Sequence, residues 1–277
     1  MPGLNRVALG LGAAASLAGA VVSAHTARWR SPFQAQLEHL TLTIPDAGAR
    51  PRPLRIGYVT DTHVGPFITP HRLAAAVDLL REERPDVLLL GGDYVSDSPR
   101  YFREAAAVLG AAAATVPHGA LAVLGNHDYT NGAARARSEL ERRGIRVLVN
   151  ESESVDIAGH VIWIVGVDDA ALGRPHLDAA FSNVPVRSSV VSLWHEPDWA
   201  ELAAARGASL QLSGHSHGGQ VRLPVFGGFA APTGGRRFVI GLNQVEGMPV
   251  YTSRGFGVFR PPIRYRCLPE ITLVTLS

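Results

Sequence analysis

Short unbroken apolar runs alternate with longer amphipathic stretches through the first half of the chain. Leu54–Thr60 (LRIGYVT), Asp86–Leu90 (DVLLL) and Ala120–Leu124 (ALAVL) each stop abruptly at polar residues. Continuous runs of this length predict strands covered on both faces. Between them, Thr69-Pro70 opens a helix, with Thr as cap and Pro at the first helical position, running towards Arg84-Pro85. Arg100–Ala114 is Ala-rich and predicts a second helix. Asn131 is expected to cap a third, which ends near Arg143 before an Ile145–Val149 strand.

The second half changes period. Ser154–Val167 reads as a hairpin about Gly159-His160, and Val190–Trp194 and Ser209–Leu212 read as strands flanking a helix near Pro197–Arg206. After Gln220 short strands alternate with Gly/Pro loops, closing on the apolar Ile271–Leu276. The stretch 223–237 is long for a connection, which points to a functional loop. Alternating β and α followed by mostly β predicts a layered α/β fold with mixed sheets. One catalytic domain over 54–277 is the simplest partition, after an extended lead-in over 31–53.

The N-terminus follows another pattern. Val7–Ala24 is eighteen residues without a charge, preceded by Arg6 and followed by Arg28 and Arg30. Residues 1–30 are therefore expected to be a membrane anchor, or a signal peptide cleaved after Ala24. The expected location is the cytoplasmic membrane, or outside it if the segment is removed.

Composition narrows the chemistry. A single cysteine among 277 residues excludes a disulfide framework and any multi-cysteine metal site. All 26 basic residues are arginines, so lysine Schiff-base chemistry is out. They are spread along the chain with a net charge of +2, and no nucleic-acid partner is implied.

The candidate chemistry sits where the strands stop. One run ends in Asp61-Thr-His63, the next in Gly91-Gly-Asp93, and the third in Gly125-Asn126-His127-Asp128. Later runs end in Trp194-His195 and Gly214-His215-Ser-His217. Ligands gather at the carboxyl ends of strands in layered α/β folds. Residues two apart in extended chain share a side, so Asp61 and His63 are expected to hold one ion together. His215 and His217 are expected to do the same if Ser216 is extended. Imidazole, carboxylate and amide oxygen without thiolate suit Mn²⁺, Fe or Zn²⁺, and seven such groups suit two ions.

These five blocks, in this order and spacing, resemble the calcineurin-like metallophosphoesterase superfamily over residues 55–220. The tail Gly218-Gly-Gln220…Arg222-Leu-Pro224, Tyr251-Thr-Ser-Arg254-Gly and Arg264…Pro269-Glu270-Ile is similar to a membrane-associated bacterial branch linked to UDP-2,3-diacylglucosamine hydrolysis. The resemblance implies a four-layer α/β/β/α sandwich with two mixed β-sheets. It also implies one metal on Asp61, His63, Asp93 and His217, and another on Asp93, Asn126, His195 and His215. Asp93 would bridge two divalent ions, with Mn²⁺ first among them. His127 is the histidine of the set without a metal, and Asp128 is expected to orient it as a proton donor.

The expected substrate is a phosphate ester or pyrophosphate, amphiphilic in the UDP-2,3-diacylglucosamine reading. The alternatives are an exported phosphodiesterase acting on phospholipid headgroups or small diesters, and a non-catalytic metal-binding scaffold. Arg222, Arg236 and Arg237 are candidates for holding a second phosphate. Tyr94, Tyr129, Phe226 and Phe229 are candidates for an apolar groove.

Overall fold

The computed structural model describes residues 33, 35–44, 52–157, 159–225, 227–228 and 231–277. The elements run β1 Gln36–Leu42, β2 Leu54–Val59, α1 Pro70–Glu82, β3 Val87–Leu90, α2 Phe102–Ala113, β4 Ala120–Ala122, α3 Asn126–Glu141 and β5 Ile145–Val147. They continue with β6 Glu151–Ile157, β7 His160–Gly166, α4 Leu177–Ala180, β8 Ser189–Leu193, α5 Ala200–Ala204 and β9 Leu210–Ser213. The last are β10 Arg222–Leu223, β11 Gly227–Gly228, β12 Gly241–Val245, β13 Met248–Thr252 and β14 Glu270–Leu276.

Strand β3 shows how the layers are made. Val87 and Leu89 pack between the sheets with Ile56, Ile164 and Leu212, whereas Leu88 and Leu90 face the helices with Leu73, Leu80 and Leu109. The period of two sends alternate side chains into different cores, and both are dry, so the run is apolar throughout. One sheet has the order β1-β14-β2-β3-β4-β5 and the other β12-β13-β9-β8-β7-β6. Both are mixed: β14 runs antiparallel to β2, while β2, β3, β4 and β5 are mutually parallel. In the second sheet β7, β8, β9 and β13 are parallel, and β6 and β12 are antiparallel edges. Helices α1–α3 cover the first sheet. The second is covered by a cluster that includes Ala180 of α4, Ala200 and Ala203 of α5, Trp194 and Phe238. This is the α/β fold with two mixed sheets.

The lead-in contributes β1, which pairs in parallel with β14 from Gln36↔Glu270 to Leu42↔Leu276. Helix α1 is capped as expected, with the Thr69 hydroxyl accepting from the Arg72 N–H. Helix α3 differs. It begins at Asn126, five positions before the predicted cap, so the Asn-His-Asp motif is its first turn. Asp128 accounts for this: its carboxylate accepts the Gly125 N–H at 3.0 Å and closes the N-terminus from within. Asn131 instead donates to the carbonyls of His127 and Ser96, and Gly132 (φ 113°) breaks the helix just beyond.

The expected membrane localisation is corrected. Among the described residues no helix is long and apolar enough to cross a membrane, and the 1–30 segment lies outside them.

Candidate metal centre

The carboxyl ends of β2, β3 and β9 turn sharply on the residues singled out above. Asp61, His63, Asp93, His215 and His217 have φ of 51°, 45°, 57°, 63° and 51°, in the left-handed region that residues with a Cβ rarely occupy. Backbone strain of this kind persists only where surrounding structure imposes it, and it collects at functional sites. The argument from extended chain therefore fails for Asp61 and His63, although the two still converge. It fails also for His215 and His217: Ser216 is helical (φ −74°, ψ −20°), and the turn sends the two histidines to different groups.

Three groups of ligating atoms converge, each within 4.8 Å: Asp61 with His63 and His217, Asp93 with His195 and His215, and His63 with Asp93 and His127. Asp93 Oδ2 is 3.6 Å from His63 Nε2 and 3.3 Å from His195 Nε2, so its carboxylate lies between the two sides. His217 Nε2 is 3.3 Å from Asp61 Oδ1 and 3.0 Å from His63 Nε2. Glycine is required beside them. A Cβ on Gly125 would run into Asp93 Oδ1 and stand 2.7 Å from His195 Nε2, and one on Gly214 would run into Asp61 Oδ2.

Backbone carbonyls fix which nitrogen each ring offers. His195 Nδ1 donates to the Gly91 carbonyl at 2.7 Å, leaving Nε2 towards Asp93. His215 Nε2 donates to the Thr233 carbonyl at 2.9 Å, leaving Nδ1. Asp61 accepts the Thr60 hydroxyl and the His215 N–H, which ties the end of β2 to the loop after β9.

Burial dominates the electrostatics. It lowers His63 to about 3 and His215 to about 4 and pushes His217 well below the usual range, so these rings are neutral with free lone pairs. Burial alone would raise Asp93, but the adjacent His195 charge, with His127 and His63, holds it well below the ordinary carboxylate value. Burial would lower His195, but Asp93 raises it well above the ordinary imidazole value. Without ions, this pair carries a proton that a cation would displace.

The residues fit two divalent ions. Asn126 Oδ1 is buried beside these groups without a hydrogen-bond partner, which a site built only for structure seldom tolerates, and His195 Nε2 has only the Asp93 carboxylate at 3.3 Å. All donors are nitrogen or oxygen. The buried Cys267 stands apart, its thiol donating to the His217 carbonyl at 3.2 Å.

Comparison with known proteins decides the family. Residues 54–219 match the calcineurin-like phosphoesterase family. The chain belongs to that family. It is 32% identical to the uncharacterized metallophosphoesterase YkuE of Bacillus subtilis, over 80% of this chain and 79% of the relative. It is 33% identical to phosphodiesterase YaeI of Escherichia coli, over 81% and 82%. The NAD nucleotidase of Haemophilus influenzae shares the fold, with a TM-score of 0.50 and 15% identity over 74% of this chain and 45% of that one. The chain is a metal-dependent phosphoester hydrolase with a dinuclear divalent centre. These matches do not place it in the UDP-2,3-diacylglucosamine branch.

As a calcineurin-like phosphoesterase the chain departs from expectation on the substrate side. Asp128 does not orient His127: its oxygens accept the N–H groups of Asp93 (2.8 Å), Tyr94 (2.9 Å) and Gly125. The ring partner is the Ser96 carbonyl, which takes the His127 Nδ1–H at 2.6 Å. Arg222 donates to the Gly218 carbonyl, Arg236 to the Ala231 carbonyl, and Arg237 pairs with Glu201. None of the three lines the 270 Å³ cavity that opens on Asp93, Asn126, His127, His215 and His217. Tyr94 is buried with its hydroxyl shared between the Leu90 and Val123 carbonyls, Tyr129 donates to Asp168, and neither lines the metal-facing cavity. Phe226 and Phe229 lie outside the described residues.

Sequence reasoning missed Ser96 and Phe259, flagged Pro232 and Thr233 only as part of the 223–237 loop, and read Arg264 only as part of the tail motif. Arg264 is fully buried, bonded to the carbonyls of Gly257, Gly255 and Arg254, with one nitrogen 3.3 Å from His217 Nδ1. An arginine in a Pro-rich tail carries no local sign of this.

Proposed function

We propose that the protein hydrolyses phosphodiesters, with Asp61, His63, Asp93 and His217 holding one divalent ion and Asp93, Asn126, His195 and His215 the other. The observation that carries the diester is the cavity lining. Among the described residues its remaining walls are Ala231, Pro232 and Phe259, with no arginine, and the nearby Arg260 already has its charge answered by Asp97 at 3.0 Å. A diester brings one negative charge, which two divalent ions answer without help. A monoester dianion or a pyrophosphate brings more charge and calls for further cations. A pyrophosphate-linked lipid such as UDP-2,3-diacylglucosamine is therefore the less suited substrate. The name of the Escherichia coli relative supports the same reading.

Two divalent ions, Mn²⁺ in this proposal, would be held by these residues and would supply Lewis acidity and a water of lowered pKa. The protein does the rest. Asp93 fixes the spacing of the two halves, and its Oδ1 accepts the His127 N–H at 2.8 Å, which sets the first turn of α3 against the centre. The Ser96 carbonyl holds the Nδ1 proton of His127, so proton traffic runs through Nε2, which donates to the departing alkoxide. Residues 54–277 form the catalytic unit in this proposal, with β1 completing its first sheet.

The test is turnover of bis(4-nitrophenyl) phosphate and 4-nitrophenyl phosphate by Mn²⁺-loaded protein. The diester is expected to be the better substrate in kcat/KM. A preference for the monoester overturns the reading.

A further inference from the structure

A second cavity adjoins the metal-facing one. It encloses 250 Å³, and His127 and Phe259 line both, so the two are parts of one groove with the proton-donating ring between them. Its outer walls are Phe67, Val258 and the Arg260–Asp97 pair at 3.0 Å.

These walls are held in place. Gln220, buried in the loop after β9, accepts the Phe259 N–H at 2.9 Å and donates to the Pro261 carbonyl at 3.3 Å. That clamps the Phe259 segment to the metal loop, and the Phe259 ring meets the His217 ring edge-to-face at 5.0 Å. Opposite, the Gly65 N–H donates to the Ile68 carbonyl, and the Ser96 hydroxyl donates to the His63 carbonyl. Phe67 is therefore carried on the same loop as the ligand His63. The Arg260 guanidinium stands 5.6 Å from the Phe67 ring centre.

We infer that this second cavity receives the leaving alcohol of the substrate, and that it selects a planar aromatic one. The inference rests on the diesterase reading above. His127 is the group that protonates the leaving oxygen, so whatever lies beyond His127 from the ions faces the leaving group. Phe67 and Phe259 offer aromatic and apolar contact to a flat ring, with the Arg260 guanidinium at the rim. The size agrees: an apolar cavity of about 150 Å³ is enough for benzene.

The test compares methyl phenyl phosphate with methyl hexafluoroisopropyl phosphate, whose leaving alcohols have similar acidity. Wild-type protein loaded with Mn²⁺ is expected to favour the phenyl ester by about tenfold in kcat/KM. Phe67→Ala is expected to remove that preference through KM, lowering the phenyl ester about tenfold more than the fluoroalkyl ester. Phe67→Leu, which keeps an apolar wall and guards against misfolding, should retain part of it. A parallel calorimetric titration uses methyl benzylphosphonate against methyl ethylphosphonate, in which carbon replaces the leaving oxygen. The benzyl compound should bind about tenfold tighter, and only while Phe67 is present. Equal losses for both esters in Phe67→Ala, or equal binding of both phosphonates, overturn the slot while diester turnover stands. Selective, Phe67-dependent binding without turnover of either ester supports the slot and overturns the diesterase reading.

Discussion

Strand β3 carries a buried aspartate beyond each end, and the two differ in what surrounds them. Asp86, before the strand, accepts two guanidinium N–H groups from Arg52, at 2.7 and 3.0 Å, and the Arg55 N–H at 2.8 Å. Asp93, after it, has a left-handed backbone and three histidines around it, with no arginine or lysine among its ion-pair partners in the described residues. Both carboxyls are held below their ordinary range, Asp86 by Arg52 against the opposing effect of burial and Asp93 by imidazoles against the same effect. The first is a charge already answered by the fold; the second is answered, without metal, by a proton on His195 that a cation would displace. The amino end of the strand stabilises, and the carboxyl end is built to react.

Exchanging these roles by mutation should therefore give opposite phenotypes. Asp93→Ala has the largest expected effect on activity: turnover falls to background, and bound metal falls from two equivalents to one or none by elemental analysis. The fold should persist, seen as an unchanged far-ultraviolet circular dichroism spectrum. Retention of both ions in Asp93→Ala would show that the carboxylate is not shared.

His127→Ala sharpens the account of the reactive end. It should lower kcat by about 10²–10⁴-fold with metal content unchanged. Because His127 also falls within ligating distance of His63 and Asp93, loss of an ion in this variant would move it into the coordination sphere.

How much of this contrast is legible in sequence depends on what fixes each residue. The histidines and aspartates that end the strands are placed by sheet register, and an apolar run that stops at Asp-x-His or Gly-Asn-His-Asp announces them locally. The layered fold is legible for the same reason, since continuous and alternating apolar periods report which strands have two dry faces. The start of α3 was not, because the cap is Asp128 acting from inside the helix while Asn131 only looks like one. The orienting partner of His127 was not either. It is a main-chain carbonyl at Ser96, 31 residues away, and carbonyls carry no sequence signature. Arginines 222, 236 and 237 follow the metal loop in sequence yet are occupied by Gly218, Ala231 and Glu201, while the unremarked Phe259 lines the cavity.

A pH series tests the same contrast by its proton balance. His195 is raised by Asp93 in the ion-free protein, so binding a cation must expel its proton. Apparent Mn²⁺ affinity should rise by roughly tenfold per pH unit below the His195 pKa, and calorimetry in buffers of different ionisation enthalpy should record proton release. Binding without release contradicts the neutral-ligand assignment.

Asp86→Asn should do the reverse of Asp93→Ala, leaving kcat within about twofold and costing about 1–3 kcal/mol in urea unfolding at neutral pH. Its folded-state pKa is lowered, so its contribution is present above the unfolded value, near about 4, and is lost as pH falls through the folded value. The wild-type and variant stabilities should therefore converge in acid. Smallest of all, Arg236→Ala is expected to change kcat/KM by less than about twofold, since its guanidinium faces the Ala231 carbonyl; its side chain is exposed.

The most direct test is a metal titration of stripped protein followed by diester turnover. Protein freed of ions by chelation should be inactive, and activity should appear on adding Mn²⁺, reaching its plateau only when two equivalents are bound per chain. Full turnover at one equivalent, or turnover that survives complete removal of divalent ions, would contradict a two-ion centre shared through Asp93.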